Sequence, residues 1–164
     1  MVVISDTSPI SNLLLIDRLD ILAQILNHVI VPPAVDREIN ALEDLGVDIS
    51  SYHSSQWVEI LVPSNMEQVD ALSQHLDLGE AEAIVLAQEI DAQLLVIDER
   101  AGTKVARSRG LTTIGLVGIL LKAKERGLIP EVGAILQLLR KKAGFWIGEK
   151  LLQQVLTKAG ESES

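Results

Sequence analysis

The chain alternates short apolar runs with longer segments of helical periodicity, and this alternation restricts its fold more than any other feature. Five runs are strand-like: VVIS at 2–5, HVIVPP at 28–33, WVEILVP at 57–63, QLLVID at 93–98 and LTTIG at 111–115. The first is continuous and β-branched, which is typical of a strand buried on both faces. Strands that alternate with helices favour a parallel sheet. We therefore predict an α/β fold, a three-layer α/β/α sandwich around a mostly parallel sheet.

The C-terminal part of the chain departs from this alternation. From Val117 to Gly160 the sequence is helical, in three pieces, so that extra helices follow the last strand. At 164 residues the chain is long enough for one domain with a sizeable core. We predict a domain over residues 1–145, a helical extension over 146–159 and a disordered tail over 160–164.

The charge and the aromatic content argue against a broad surface for nucleic acid. The formal net charge is −9, and aromatic residues make up 2% of the chain. A basic face that grips phosphates and a platform on which bases stack are therefore both unexpected. We expect Phe145 and Trp146 to cover the core, and the RKK run at 140–142 to form a solvated helix end.

Composition also bears on the compartment. No cysteine is present, so thiolate zinc sites and disulfides are excluded. No apolar run approaches the roughly 20 residues of a membrane span, and the first residues lack the basic region and cleavage site of a secretory signal. We expect a cytoplasmic protein that has no membrane partner.

Two acids stand where predicted strands end. Asp6 directly follows VVIS, and Asp98 closes QLLVID. In open α/β sheets, sites form beyond the carboxyl ends of the strands, near the point where the strand order reverses. A single acid after a strand is more often a turn former or the N-cap of the next helix. The sequence alone leaves both interpretations open.

Two further acids lie on predicted helices. Glu38 follows an apolar side in PAVDREI. At about 100° per residue, Glu80 in GEAEAI shares an apolar stripe with Ala83 and Ile84, whereas Glu82 lies about 200° from Glu80 and is predicted to be exposed. Taken singly, Glu38 is more often a solvated acid, and Glu80 suits the positive end of the helix dipole.

If these acids meet, they need a cation. Buried carboxylates that cannot pair with one another repel, which raises their pKa values unless a positive charge binds. Clustered oxygen ligands without Cys or His suit Mg²⁺ or Mn²⁺. Such ions activate water and stabilise the charge of a phosphodiester displacement. The predicted ligands and catalytic residues are Asp6, Glu38, Glu80 and Asp98.

A small basic cluster follows the last of these acids, at Lys104, Arg107 and Arg109. Solubility is the more common role of such a cluster, and contact with phosphates through Lys104 and Arg107 is the alternative.

Several stretches together resemble the PIN-domain family, in a prokaryotic branch of nucleic-acid-binding proteins related to toxin ribonucleases. They are ISDTSPISNLLLID, VIVPPAVDREI, the run from LDLGEAEAI through LLVIDERAG to GILLKAKERGLIP, and AGFWIGEKLLQQVL. The resemblance covers nearly the whole chain. It implies a five-stranded parallel sheet with helices on both sides, Mg²⁺- or Mn²⁺-dependent ribonuclease activity, frequent homodimers and, for many members, an antitoxin partner.

Carried over by position, the family's four acids fall on Asp6, Glu38, Glu80 and Asp98. Thr7 and Ser8 would be polar supports, and Glu99 an extra ligand. The third acid is Glu where toxin-type members often have Asp, and Val96-Ile97 replaces the usual Thr-rich strand end.

Two functions follow from this reasoning. The first is a metal-dependent nuclease that acts on RNA, with the toxin of a toxin–antitoxin pair as one form. The alternative is a catalytically weak or inactive PIN-like module that binds nucleic acid or a partner protein. An aspartyl-nucleophile phosphatase is disfavoured because Ser8 stands where such enzymes carry a second Asp. Dinucleotide binding is disfavoured because no G-x-G-x-x-G follows the first strand.

Overall fold

A computed structural model describes residues 1–161 of the chain. Its sheet has five parallel strands in the order β3-β2-β1-β4-β5. The strands are β1 (Val3–Ser5), β2 (Val29–Val31), β3 (Val58–Ile60), β4 (Leu94–Val96) and β5 (Thr113–Ile114). The predicted α/β/α sandwich around a five-stranded parallel sheet is confirmed.

Ten α-helices accompany these strands in the described part of the chain. They are α1 (Thr7–Leu15), α2 (Leu19–Leu26), α3 (Pro33–Asn40), α4 (Ser50–His53), α5 (Met66–Leu72), α6 (Leu78–Glu89), α7 (Arg100–Ser108), α8 (Leu116–Glu125), α9 (Val132–Ala143) and α10 (Glu149–Lys158). A 3-10 helix covers Ala41–Leu45. None of the helices within residues 1–161 combines the length and the apolarity that crossing a membrane requires.

The core lies in two layers, one on each face of the sheet. Successive strand residues point to opposite faces: Val3 joins the layer formed by α1, α2, α8 and α9, whereas Ile4 joins the layer formed by α5, α6 and α7. Both faces of the central strands are therefore buried, which explains their continuous apolar runs.

The C-terminal helices belong to the first of these layers. Ile147 and Val155 are buried in the same cluster as residues of α1 and α8. Of the predicted tail, Gly160 and Glu161 are described: the Glu161 carboxylate accepts a hydrogen bond from Lys124 Nζ at 2.7 Å. The rest of the predicted tail, residues 162–164, lies outside the described residues.

The strand order reverses between β1 and β4. The chain builds β1, β2 and β3 toward one edge, then crosses back to place β4 on the other side of β1. Loops at the carboxyl ends of these two strands separate at this switch point, and the opening between them is where sheets of this kind form sites.

Candidate functional site

The ends of β1 and β4 bring two acids side by side. Ser5 pairs with Val96 in register, and the N–H of Asp6 donates to the Val96 carbonyl at 2.9 Å. Neighbouring strands lie about 4.8 Å apart, so Asp6 and Asp98 leave the sheet at adjacent places. The predicted position of both acids at the switch point agrees with this geometry.

Asp6 is almost fully buried, at 3% exposure, and its side chain does not cap the next helix. It occupies the N-cap position of α1 but forms no capping hydrogen bond. Its pKa is raised from 3.8 to about 7, chiefly by burial and to a smaller extent by the nearby Asp77, Glu38 and Glu99 carboxylates, against an opposing effect of the Thr7 N–H. The capping role that a lone strand-end acid suggests is therefore wrong for Asp6.

Asp98 does cap a helix, although not the one that follows it directly. Its Oδ1 accepts the N–H of Leu116, the first residue of α8, at 2.8 Å. A Cβ at Gly115 would lie 2.6 Å from that oxygen, so only glycine allows this approach. Burial raises the pKa of Asp98. Only Oδ1 is used in this contact, and Oδ2 is left buried without a hydrogen-bond partner.

Glu38 reaches the same region from α3. The Thr7 hydroxyl donates a hydrogen bond to Glu38 Oε2, and Gly79 of α6 lies against the carboxylate, since a Cβ there would be 3.0 Å from Oε2. Burial raises the pKa of Glu38. The polar support expected of Thr7 is thus a direct contact with the second predicted acid.

Glu80 enters from the first turn of α6, where it forms a capping box with Asp77. Asp77 Oδ1 accepts the Glu80 N–H at 2.8 Å, and Glu80 Oε1 accepts the Asp77 N–H at 3.4 Å. The second oxygen, Oε2, lies against Gly102 of α7. Burial and then the Asp77 carboxyl raise the pKa of Glu80 well above its usual range.

Asp77 is an acid that the sequence reasoning missed. Burial is the largest cause of the raised pKa values of Asp6, Glu38 and Glu80, and the Asp77 carboxylate is a further cause for all three. The signal was present in the sequence as D-L-G-E, the Asp and Glu three residues apart that mark a capping box. We call Asp6, Glu38, Asp77, Glu80 and Asp98 together the acidic edge.

The prediction that Glu82 is exposed was wrong. It is 5% exposed, as Glu80 is, and its Oε1 accepts the N–H of Ala34 in the first turn of α3 at 2.9 Å. The carboxylate of Glu82, which lies on α6, therefore caps the N-terminus of α3 and links the two helices. Since α3 carries Glu38, this contact helps to fix the position of an acidic-edge residue.

The acidic edge contains oxygens that no donor satisfies. Within residues 1–161, the buried side-chain atoms without a hydrogen-bond partner are Asp6 Oδ1, Glu80 Oε2 and Asp98 Oδ2. No Lys, Arg or His in the same range forms a salt bridge with an acid of this edge. Unpartnered buried carboxylate oxygens are costly, and hard oxygen donors suit Mg²⁺ or Mn²⁺.

The carboxylate oxygens of the acidic edge are suitable ligands for a divalent ion, but they do not converge on one metal position. In the described part of the chain, no three His, Cys, Asp or Glu side chains are close enough to hold a metal as they stand. Binding would therefore require these side chains to move toward one another.

The remaining predicted residues lie along α7. Glu99 is exposed at the N-cap position and forms no capping hydrogen bond, and Lys104 is exposed. Arg107 lies in the last turn of α7, and its Nε donates to Thr113 Oγ1 at 2.9 Å, where β5 begins. At 1.5 Å per residue, this puts Arg107 about 10 Å along the helix from its start. A metal contact of Glu99 and phosphate contacts of Lys104 and Arg107 remain predictions.

Comparison with known proteins covers almost the whole chain. The family model DUF3368, described as a PIN domain, matches residues 2–161. Among solved structures, the chain is similar to a PilT N-terminus domain protein from the hyperthermophilic archaeon Sulfolobus solfataricus P2, at 19% identity and a TM-score of 0.49, over 91% of this chain and 99% of that one. No curated protein matches the chain. The family match includes both the acidic edge and the C-terminal helices.

Proposed function

This chain belongs to the PIN-domain family, and from that premise we propose that it is a divalent-metal-dependent nuclease that hydrolyses phosphodiester bonds in RNA. The observation that carries the proposal is the set of three buried carboxylate oxygens without partners, on Asp6, Glu80 and Asp98. Three such oxygens at one end of a sheet would be costly in a purely structural role. A divalent cation is the partner that offsets them.

Each acid has a distinct role in this proposal. Asp6 and Asp98 would be the main ligands, because adjacent strand ends hold them. Glu38 and Glu80 would complete or orient the ligand set, and Asp77 would hold Glu80 through the capping box. When bound, Mg²⁺ or Mn²⁺ lowers the pKa of coordinated water and offsets charge on the phosphate.

The protein itself would set the direction and the protonation state of these groups. The Thr7 hydroxyl and Glu82, through its bond to α3, would hold Glu38 toward the strand ends. The enclosed setting that raises the pKa of Asp6 to about 7 keeps that carboxyl near half-protonation at neutral pH. Ligation therefore requires the release of a proton, and no covalent protein intermediate is needed.

A cleavage assay tests the proposal directly. The protein is incubated with a labelled single-stranded RNA in Mn²⁺, with and without EDTA. We expect Asp6→Asn and Asp98→Asn to lower the rate by at least about 100-fold, because each removes a ligand charge. The matched control is Asp70→Asn, at an exposed acid on α5, which should cleave normally. If both ligand variants cleave RNA as the unchanged protein does, the mechanism is wrong.

A second candidate function is a PIN-like binding module without catalysis. Two observations favour it: no three potential ligands in residues 1–161 already converge on a metal position, and the net charge of −9 is unfavourable for RNA. Calorimetric titration with Mn²⁺ separates the two candidates, since heat of binding below millimolar concentration supports the nuclease and its absence supports the module. The homodimer and the antitoxin partner implied by the family remain predictions for size-exclusion chromatography.

A further inference from the structure

Trp146 is exposed, contrary to the expectation that it covers the core. It lies in the connection between α9 and α10 and is 79% exposed, whereas its neighbour Phe145 packs against the core and Ile147 is buried within it. A Cβ at Gly148 would lie 3.5 Å from Trp146 Cη2, so the indole rests beside that glycine. A large aromatic ring is therefore presented to solvent by a connection whose flanking residues are anchored.

The path of the C-terminal helices brings this connection toward the acidic edge. Helix α8 begins at the Asp98 carboxylate and runs away from it, since Arg126 at its end donates to the Ile25 carbonyl just before β2 begins. Helix α9 begins at that far end, because Glu161 binds both Lys124 of α8 and the N–H of Val132.

From that far end α9 lies against two helices that start at the acidic edge. It packs against α1 and α8, both of which start at the acidic edge. Its 12 residues cover about 18 Å at 1.5 Å each, enough to return past the length of α8. An α9 that runs antiparallel to α8 carries its end, and with it Trp146, back to the side of the sheet where Asp6 lies.

The residues around Trp146 are basic in a chain that is otherwise strongly acidic. Residues 140–150 contain four of the 14 Lys and Arg residues and one of the 23 Asp and Glu residues. The four are exposed: Arg140, Lys141, Lys142 and Lys150. We call these four residues and Trp146 the C-terminal rim.

We propose that the C-terminal rim binds single-stranded nucleic acid and leads it to the acidic edge, an inference that rests on the proposed nuclease function. Exposed aromatic rings stack on bases of any identity, and neighbouring cations contact the backbone phosphates. A strand that approaches the acidic edge meets carboxylates that repel it, so a local basic segment is needed beside them. The charge of the rim favours a polyanion over an apolar protein partner.

Fluorescence measures the stacking contact separately from cleavage. The chain has two tryptophans, and the conservative substitution Trp57→Phe leaves Trp146 as the single indole. This protein is titrated in EDTA with an unlabelled single-stranded RNA of about 12 nucleotides at low salt. Stacking predicts that Trp146 emission is quenched, with a midpoint equal to the dissociation constant from anisotropy of a labelled RNA. An unchanged emission at RNA concentrations that saturate the anisotropy signal would overturn the proposal.

Substitutions at the rim should weaken binding in two distinguishable ways. We expect Trp146→Ala to weaken RNA binding about 10-fold, within the range for one lost base stack, and Trp146→Phe to recover most of the affinity. The pair Lys141→Ala with Lys142→Ala should reduce the slope of log affinity against log salt by about 1.4, which corresponds to two phosphate contacts on a single strand.

Matched controls lie away from the rim. Leu45 is also 79% exposed, so Leu45→Ala tests the loss of an exposed apolar side chain, and Lys158→Ala at the far end of α10 tests the loss of a positive charge. Both should bind RNA normally. If Trp146→Ala binds RNA as Leu45→Ala does, the proposal is wrong; if it instead converts a dimer to a monomer, the rim is a protein interface and the proposal is again wrong.

The experiment also separates this inference from the nuclease proposal. Binding is measured without metal, so it does not depend on catalysis. Loss of binding in Trp146→Ala together with normal cleavage by both Asp6→Asn and Asp98→Asn supports RNA binding at the rim and refutes the nuclease mechanism. Normal binding by Trp146→Ala together with loss of cleavage by Asp6→Asn refutes the rim and supports the mechanism.

Discussion

Replacing Asp6 by asparagine is expected to stabilise the metal-free protein at neutral pH, although it removes a proposed ligand. In the folded protein, Asp6 is 3% exposed, its Oδ1 has no hydrogen-bond partner, and burial raises its pKa to about 7. In the unfolded chain the same carboxyl ionises near 3.8. The folded state therefore holds a proton that the unfolded state releases, and stability falls as the pH rises between these two values.

The size of the effect follows from the shift. About three pKa units at about 1.4 kcal/mol each give about 4 kcal/mol of destabilisation, complete above pH 7 and less than about 1 kcal/mol near pH 4. Asparagine carries no such charge, but its buried N–H groups would cost about 1–2 kcal/mol at every pH. Asp6→Asn should thus be about 2–3 kcal/mol more stable than the unchanged protein at pH 8 and slightly less stable at pH 4.

Urea unfolding in EDTA, repeated from pH 4 to pH 8, measures this change. The pH dependence of the stability difference is decisive, because the cost of the amide is constant and cancels. Asp70→Asn, at an exposed position on α5, should stay within about 0.5 kcal/mol throughout. A difference between Asp6→Asn and the unchanged protein that does not vary with pH would refute the claim that Asp6 is a buried carboxyl without a compensating charge.

Three other outcomes follow from the same geometry. In Gly115→Ala the new Cβ would lie 2.6 Å from Asp98 Oδ1, and in Gly118→Ala it would lie 2.7 Å from the Ile114 side chain. Both substitutions should lower the melting temperature. Only Gly115→Ala should also weaken Mn²⁺ binding in calorimetry. Glu82→Gln keeps an oxygen for the Ala34 N–H and should preserve stability, whereas Glu82→Ala should cost about 1 kcal/mol in urea unfolding; equal effects would contradict the capping role. Mn²⁺ affinity should rise by up to about tenfold per unit from pH 6 to pH 7, because the ion must displace protons whose pKa values are raised; an affinity that does not change with pH would show that the carboxyls are already ionised.

The sheet was predictable because its strands carry strong signals. Continuous β-branched runs such as VVIS identify strands buried on both faces, and the acids Asp6 and Asp98 mark where two of them end. Parallel pairing then fixes that both acids emerge at the same edge, although sequence alone does not say that β1 and β4 are neighbours. That pairing arises because the chain crosses back over the sheet after β3, and no short sequence pattern predicts this crossover.

The helical acids were predictable only in part. Periodicity identifies the inward side of a helix that has one exposed face, but residues 79–87 of α6 are all buried. A helix enclosed on every side has no outward face, so the angle of 200° could not place Glu82 in solvent. Asp77 was missed for a different reason. Its position at the start of α6 is already explained by helix capping, so the sequence gives no sign of a second role in the acidic edge.

The Thr7 contact with Glu38 and the exposure of Trp146 depend on how distant elements meet. Thr7 begins α1 and Glu38 lies on α3, so their contact requires the two helices to start at the same edge of the sheet. Trp146 is exposed because Phe145 and Ile147 on either side of it turn inward. Neither arrangement has a signature within a short window of sequence.

The most direct test of the metal site is a crystal structure of the protein soaked in Mn²⁺, with data collected for anomalous scattering. The account predicts an anomalous peak within ligand distance of Asp6 Oδ1 and Asp98 Oδ2, which are buried without a hydrogen-bond partner, with Glu80 or Glu38 turned toward it. A fully soaked crystal without density at this position, with the carboxyls instead hydrogen-bonded to one another in protonated form, would contradict it.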